Sequence, residues 1–191
     1  MTVWRCLTFV VCLNFSTLLY AGEDGLPFTG NDGCMQGPLA QFGRYLGDWK
    51  IEDSSLSRDG SGWSAGPGAR WIFSCLGNGT AIQDFWLPPD GKVGTNLRTY
   101  DPESGTWEIA WAITAAPGFS HIRAEQEENG NVVMHYVAPV PSPLRRITFF
   151  PPDDSGWNWT LEFSQDDGES WTEVYRIRAT SFSAASADSR P

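Results

Sequence analysis

Ten short runs of strand-forming residues fill the chain between residues 48 and 179. They are 48–56, 69–75, 80–86, 94–100, 107–114, 119–127, 132–138, 144–150, 157–164 and 171–179. Turn residues separate them: Leu76-Gly77-Asn78-Gly79, Asp101-Pro102-Glu103-Ser104-Gly105, Glu128-Asn129-Gly130-Asn131, Pro151 to Gly156, and Asp166-Asp167-Gly168. Such stretches, rich in Gly, Pro, Asn and Asp, reverse a chain between strands. Many short strands at this spacing form a barrel or a sandwich. The single helical stripe, Leu39, Phe42 and Leu46, follows Pro38, a residue suited to the first turn of a helix. A parallel Rossmann-type or hydrolase sheet needs a helix after each strand, so this pattern disfavours one. The predicted fold is all-β: a ten-stranded antiparallel up-and-down barrel over residues 37–180, with a short helix before the first strand.

Parity gives such a meander two distinct ends. The first strand starts, and the tenth finishes, at one end. That end also collects the short helix and the turns rich in Asp, Glu, Asn and Gly. Cys34 precedes the first strand and Cys75 ends the second, so both fall at this closed end. The opposite end gathers the long segment Ser57 to Gly68, Leu87-Pro88-Pro89-Asp90, Ala115-Ala116-Pro117-Gly118 and Pro139-Val140-Pro141-Ser142-Pro143. Most of these loops are apolar and Pro-rich, as suits the rim of a mouth.

Residues 1–21 read as a signal peptide, with Arg5 as the positive region, Leu7 to Leu19 as the apolar stretch and Tyr20-Ala21-Gly22 as a small-residue cleavage site. The apolar run is short and interrupted for a membrane span. Export to a secreted or periplasmic location would favour a Cys34–Cys75 disulfide. Residues 22–36 are expected to form an extended lead, and 181–191 a disordered tail rich in Ser and Ala. The net charge of −10 argues against nucleic acid and anionic membrane surfaces as partners.

Alternation sorts side chains by face. The inward set is expected to include Trp71, Phe73, Thr80, Ile82, Asp84 and Trp86, then Arg98, Trp107, Ile109, Trp111 and Ile113, and finally Trp157, Trp159, Leu161 and Phe163. Taking Asn129-Gly130 as a two-residue turn puts His121, Arg123, Glu125 and Glu127 outside, and His135 inside. The interior is therefore aromatic, with Asp84, Arg98 and His135 as its polar groups. A buried charge is costly alone, so these groups should pair or face a ligand. An Asp84–Arg98 ion pair that only fixes strand register is the plainer alternative. Catalytic motifs are scarce. Gly62-Trp63-Ser64-Ala65-Gly66 has nucleophile-elbow spacing, but Gly-Pro-Gly follows it where a helix is needed. Two histidines without a Cys-x-x-Cys motif do not make a His- or Cys-rich metal site. No cofactor is expected. Ser164 to Trp171 fits the Asp-box hairpin motif, read here as a turn.

The start of the first strand, Gly47-Asp48-Trp49, resembles the Gly-x-Trp opening of the calycins, the lipocalins and fatty-acid-binding proteins. The strand count and the arginines of the last strand strengthen the likeness, which is nearest to bacterial lipocalin-like domains. The resemblance implies that Arg178 or Arg176 covers Trp49, and that the long first loop folds over the mouth. With the aromatic interior read from alternation, a small hydrophobic or aromatic ligand is expected inside, with Trp63, Trp71, Asp84, Trp86, Arg98, Trp111, His135 and Trp159 as candidate contacts. An alternative is a cyclase or isomerase using His135 and Asp84 as acid and base. Another is a carbohydrate-binding module, which would show a flat exposed row of aromatics rather than an aromatic interior.

Overall fold

The computed structural model describes residues 31–182 apart from Asn78, so the expected signal peptide and the tail beyond residue 182 lie outside the described residues. Eleven strands follow one another: β1 (Gly47–Leu56), β2 (Trp63–Ala65), β3 (Ala69–Leu76), β4 (Ala81–Leu87), β5 (Gly94–Asp101), β6 (Thr106–Ile113), β7 (Ser120–Gln126), β8 (Val132–Ala138), β9 (Leu144–Phe149), β10 (Trp157–Ser164) and β11 (Thr172–Ser181). Each neighbouring pair from β3 to β11 is antiparallel, β1 pairs β3, and β11 returns to β1. These ten strands close the barrel, and all ten coincide with the runs read from the sequence. Closure leaves no free sheet edge. The short β2 lies outside this count and pairs only with the end of β1.

Before β1 the chain makes a 3-10 helix (Asn31–Met35), a second 3-10 turn (Gly37–Leu39) and the one-turn helix α1 (Ala40–Gly43). The end of the expected extended lead is thus helical. This segment plugs the closed end. Phe42 is wholly buried and meets Trp107 edge-on at 5.0 Å and Phe149 at 5.5 Å. Such ring pairs contribute about 0.5–1.5 kcal/mol beyond the area they bury. The Trp107 indole N–H donates to Gln41 at 2.9 Å, and the Tyr45 hydroxyl donates to the Phe150 carbonyl at 3.0 Å. The Cys34–Cys75 disulfide ties the plug to the end of β3.

The hairpin between β7 and β8 has a different register from the expected one. Glu127 N–H donates to Asn131 C=O and Gly130 N–H to Glu127 C=O, both at 2.9 Å, with Gly130 at a φ of +86°. The loop is therefore a residue longer than a two-residue turn, and a glycine in the left-handed region closes it. One extra residue reverses the face of everything that follows. Arg123 stands opposite His135, and Ala124 opposite Met134. Val132, Met134 and Tyr136 point inward, and His135 points out.

The Asp-box stretch is a tight turn, as read. Asp166 accepts from the Ser164 hydroxyl at 2.7 Å and the Ser170 N–H at 2.9 Å. Trp171 closes it by donating to the Gly168 carbonyl at 3.1 Å.

Candidate functional site

Above the plug the barrel is not filled. A cavity of about 330 Å³ is lined by Trp71, Trp86, Trp111 and Trp159, with Ile113, Ile122, Met134, Ile147, Leu161 and Ile177 between them. Tyr136, Tyr175 and Arg145 line it too, and Asn96, Arg98 and Phe149 lie at its base. Burial falls along its length. Trp71 and Phe149 are buried, whereas Trp86, Trp111, Tyr136, Arg145, Leu161 and Tyr175 are partly exposed. The partly exposed group sits at the strand ends away from the plug, so the cavity opens at the Pro-rich rim.

The tryptophans leave space because of how rings meet. Trp71 contacts Trp86 edge-on at 5.0 Å and Trp159 at 6.4 Å, and Trp159 meets Tyr175 edge-on at 5.9 Å. Perpendicular flat groups do not fill a cylinder as branched aliphatic side chains do. Gly94 adds room at the rim. A Cβ there would come within 2.2 Å of the Trp111 ring, so the indole lies directly against the β5 backbone. Gly94 is the first residue of β5, and a glycine there lets another group approach the backbone closely.

Asp84 and Arg98 are both fully buried and form an ion pair. Asn96 donates its side-chain amide to both Asp84 carboxylate oxygens at 3.1 Å. Arg98 Nε and Nη2 have no hydrogen-bond partner. Its guanidinium instead faces the rings of Phe42, Phe73 and Phe149 at 4.8, 5.3 and 5.8 Å. Three aromatic faces thus hold the rest of the cation. Burial pulls the Arg98 guanidinium below its ordinary range, and the Asp84 carboxylate opposes that pull. The cluster forms the base of the cavity and joins it to the plug.

Five residues stand elsewhere than expected. His135 is exposed on the outer face, so it and Asp84 are separated by the barrel wall and make no acid–base pair. Its imidazole packs 6.2 Å from the Trp171 ring, beside Arg146 and Glu162. Trp63 does not close the mouth. It lies on β2 at 36 % exposure, on the outer surface, with the Arg176 guanidinium 3.7 Å from its ring. Arg176 and Arg178 alternate with the inward Tyr175, Ile177 and Ala179 and so point outward. Arg178 reaches Asp153 and Ser155. Trp49 is covered instead by Trp157, edge-on at 5.7 Å, and donates its indole N–H to the Tyr45 carbonyl at 2.8 Å. Thr80, expected inward, is exposed in the β3–β4 turn and donates to the Gly77 carbonyl at 3.1 Å. Ser64 lies exposed on β2, so the elbow-like spacing has no strand–turn–helix around it.

Three polar groups of the cavity region went unread in the sequence. Tyr175 donates its hydroxyl to Asp53 at 2.6 Å, and Asp53 also accepts the Gly68 N–H at 2.7 Å. Burial pushes the Tyr175 hydroxyl well above the ordinary range, and Asp53 adds to the push. Arg145 is the third. Its parity with Ile147 and Phe149 was the signal that it faces inward. Among the described residues no group of three or more His, Cys, Asp or Glu side chains could hold a metal ion. The chain matches no protein-family model and no curated protein.

Proposed function

We propose that the protein binds a small, largely apolar ligand inside the barrel, as a lipocalin-like member of the calycins acting outside the cytoplasm. The observation that carries this reading is the aromatic cavity above the plug, open at one end. Every 100 Å² of apolar ligand surface moved from water into such a cup contributes about 2.5 kcal/mol before the entropy of binding is subtracted. Edge-on indoles present faces for a flat or ring-shaped body to stack upon. The interior placement of Trp71, Trp86, Trp111 and Trp159 supports a lipophilic ligand over a glycan, which would want an exposed aromatic row. The disulfide supports an oxidising compartment. Among the described residues no helix is long and apolar enough to cross a membrane.

Titration with N-phenyl-1-naphthylamine, a neutral aromatic probe, tests the reading. The expected result is saturable quenching of tryptophan fluorescence at one probe per chain. Gly94→Val, which pushes Trp111 into the cavity, should weaken binding by roughly tenfold or more, a loss of about 1.4 kcal/mol. Non-saturable quenching, or equal affinity in the variant, would count against an interior site.

A further inference from the structure

We propose that the cavity selects an anionic amphiphile, its acidic head held at the rim by Arg145 and its apolar body lying inward among the tryptophans. This rests on the interior-binding reading and adds the class of ligand and its orientation. Arg145 is the second residue of β9 and lines the cavity near its mouth. Its guanidinium lies 5.7 Å from the Tyr136 ring centre and 5.6 Å from that of Phe163. Those two rings hold the side chain in place. Among the described residues it makes no ion pair, and its Nε is buried without a hydrogen-bond partner. The next residue, Arg146, points outward and spends its fork on Glu162 at 2.8 and 2.9 Å.

The other charges near the cavity are spoken for. Arg98 is neutralised by Asp84. Asp53, the other inward carboxylate, accepts from Tyr175 and Gly68. The wall therefore keeps one uncompensated positive charge, in a chain whose net charge is −10. A partly desolvated cation without a partner is costly. A carboxylate or sulfonate would offset that cost, because the planar guanidinium fork matches two anionic oxygens. The base of the cavity offers no equivalent site, since Arg98 is covered and already paired. The acidic head is thus placed at the mouth and the apolar body inside.

The test compares N-phenyl-1-naphthylamine with 1-anilinonaphthalene-8-sulfonate, which share a body and differ by one sulfonate. Wild-type protein should bind the sulfonate probe roughly tenfold tighter. Arg145→Gln and Arg145→Met should abolish that preference, lowering the affinity for the sulfonate probe by a larger factor than that for the neutral one. A variant-free readout is the Arg145 side-chain N–H resonance of the wild type, expected to shift with the sulfonate probe and not with the neutral one. Equal affinities in the wild type, or a preference surviving both substitutions, would overturn the anionic head while neutral-probe binding still upheld the cavity. If neither probe binds, the interior site itself falls.

Discussion

Asp84 and Arg98 lie diagonally across the β4–β5 pair, where Asp84 faces Asn96 and Ile82 faces Arg98. The charge pair, the amide of Asn96 and the three phenylalanine rings form one unit, and removing one member leaves the rest unbalanced. Asp84→Ala should destabilise the protein by about 3–5 kcal/mol in urea denaturation, because it strands a buried cation. The double variant Asp84→Leu/Arg98→Met, which removes both charges, should cost far less than the single one. On the outer face, partial burial lowers the His135 pKa and the positive charge of Arg146 lowers it further, while Glu125 and Glu127 oppose this. The unfolded chain takes that proton near the ordinary value of about 6.5. The folded protein takes it at lower pH, so stability is full above about pH 6.5 and falls as pH drops towards the folded value. Imidazole titration by NMR should place His135 below 6.5, and Arg146→Gln should move it up. The polar members of the cavity were unevenly legible in the sequence. Asp84 and Arg98 followed from alternation within well-bounded strands. Arg145 sits next to another arginine, and two adjacent charges conceal the period that puts only one of them inside.

At the scale of elements, all ten barrel strands were readable because turn residues close every run. The helix ahead of β1 was readable from its stripe, and the disulfide from the two cysteines left in an exported chain together with the parity of the meander. Faces were readable from alternation within a strand, as around Trp71, Trp111 and Trp159. They failed at β7–β8, where Gly130 closes a longer loop and one residue inverts the strand. They failed too for Trp63. Its segment has rim composition, but its pairing with Ser54 to Leu56 lays it outside the barrel. The arginines of β11 were assigned by likeness to a family pattern, although their alternation with Ile177 and Ala179 already faces them outward. The disulfide is the element that fastens the plug. It closes a loop spanning a sequence separation of 41, for which chain entropy contributes about 4 kcal/mol. Thiol labelling of unreduced protein should modify neither Cys34 nor Cys75. Cys34→Ser/Cys75→Ser should lower stability by an amount of that order, with the plug loosening before the barrel.

The molecule as a whole is a cylinder closed at one end by Phe42 and Tyr45, floored by a caged ion pair, and open above a ring of indoles. Its outer tryptophans serve other purposes: Trp63 lies beneath Arg176, and Trp171 packs against Arg146 at 4.4 Å. This division between inner and outer indoles makes one measurement decisive. Each tryptophan has a single indole N–H resonance, which can be assigned by substitution and followed during titration with N-phenyl-1-naphthylamine. Interior binding predicts saturable shifts at Trp71, Trp86, Trp111 and Trp159, with Trp63 and Trp171 unmoved. Shifts confined to Trp63 and Trp171, with the four interior indoles silent, would contradict the account and place the ligand on the outside of the barrel.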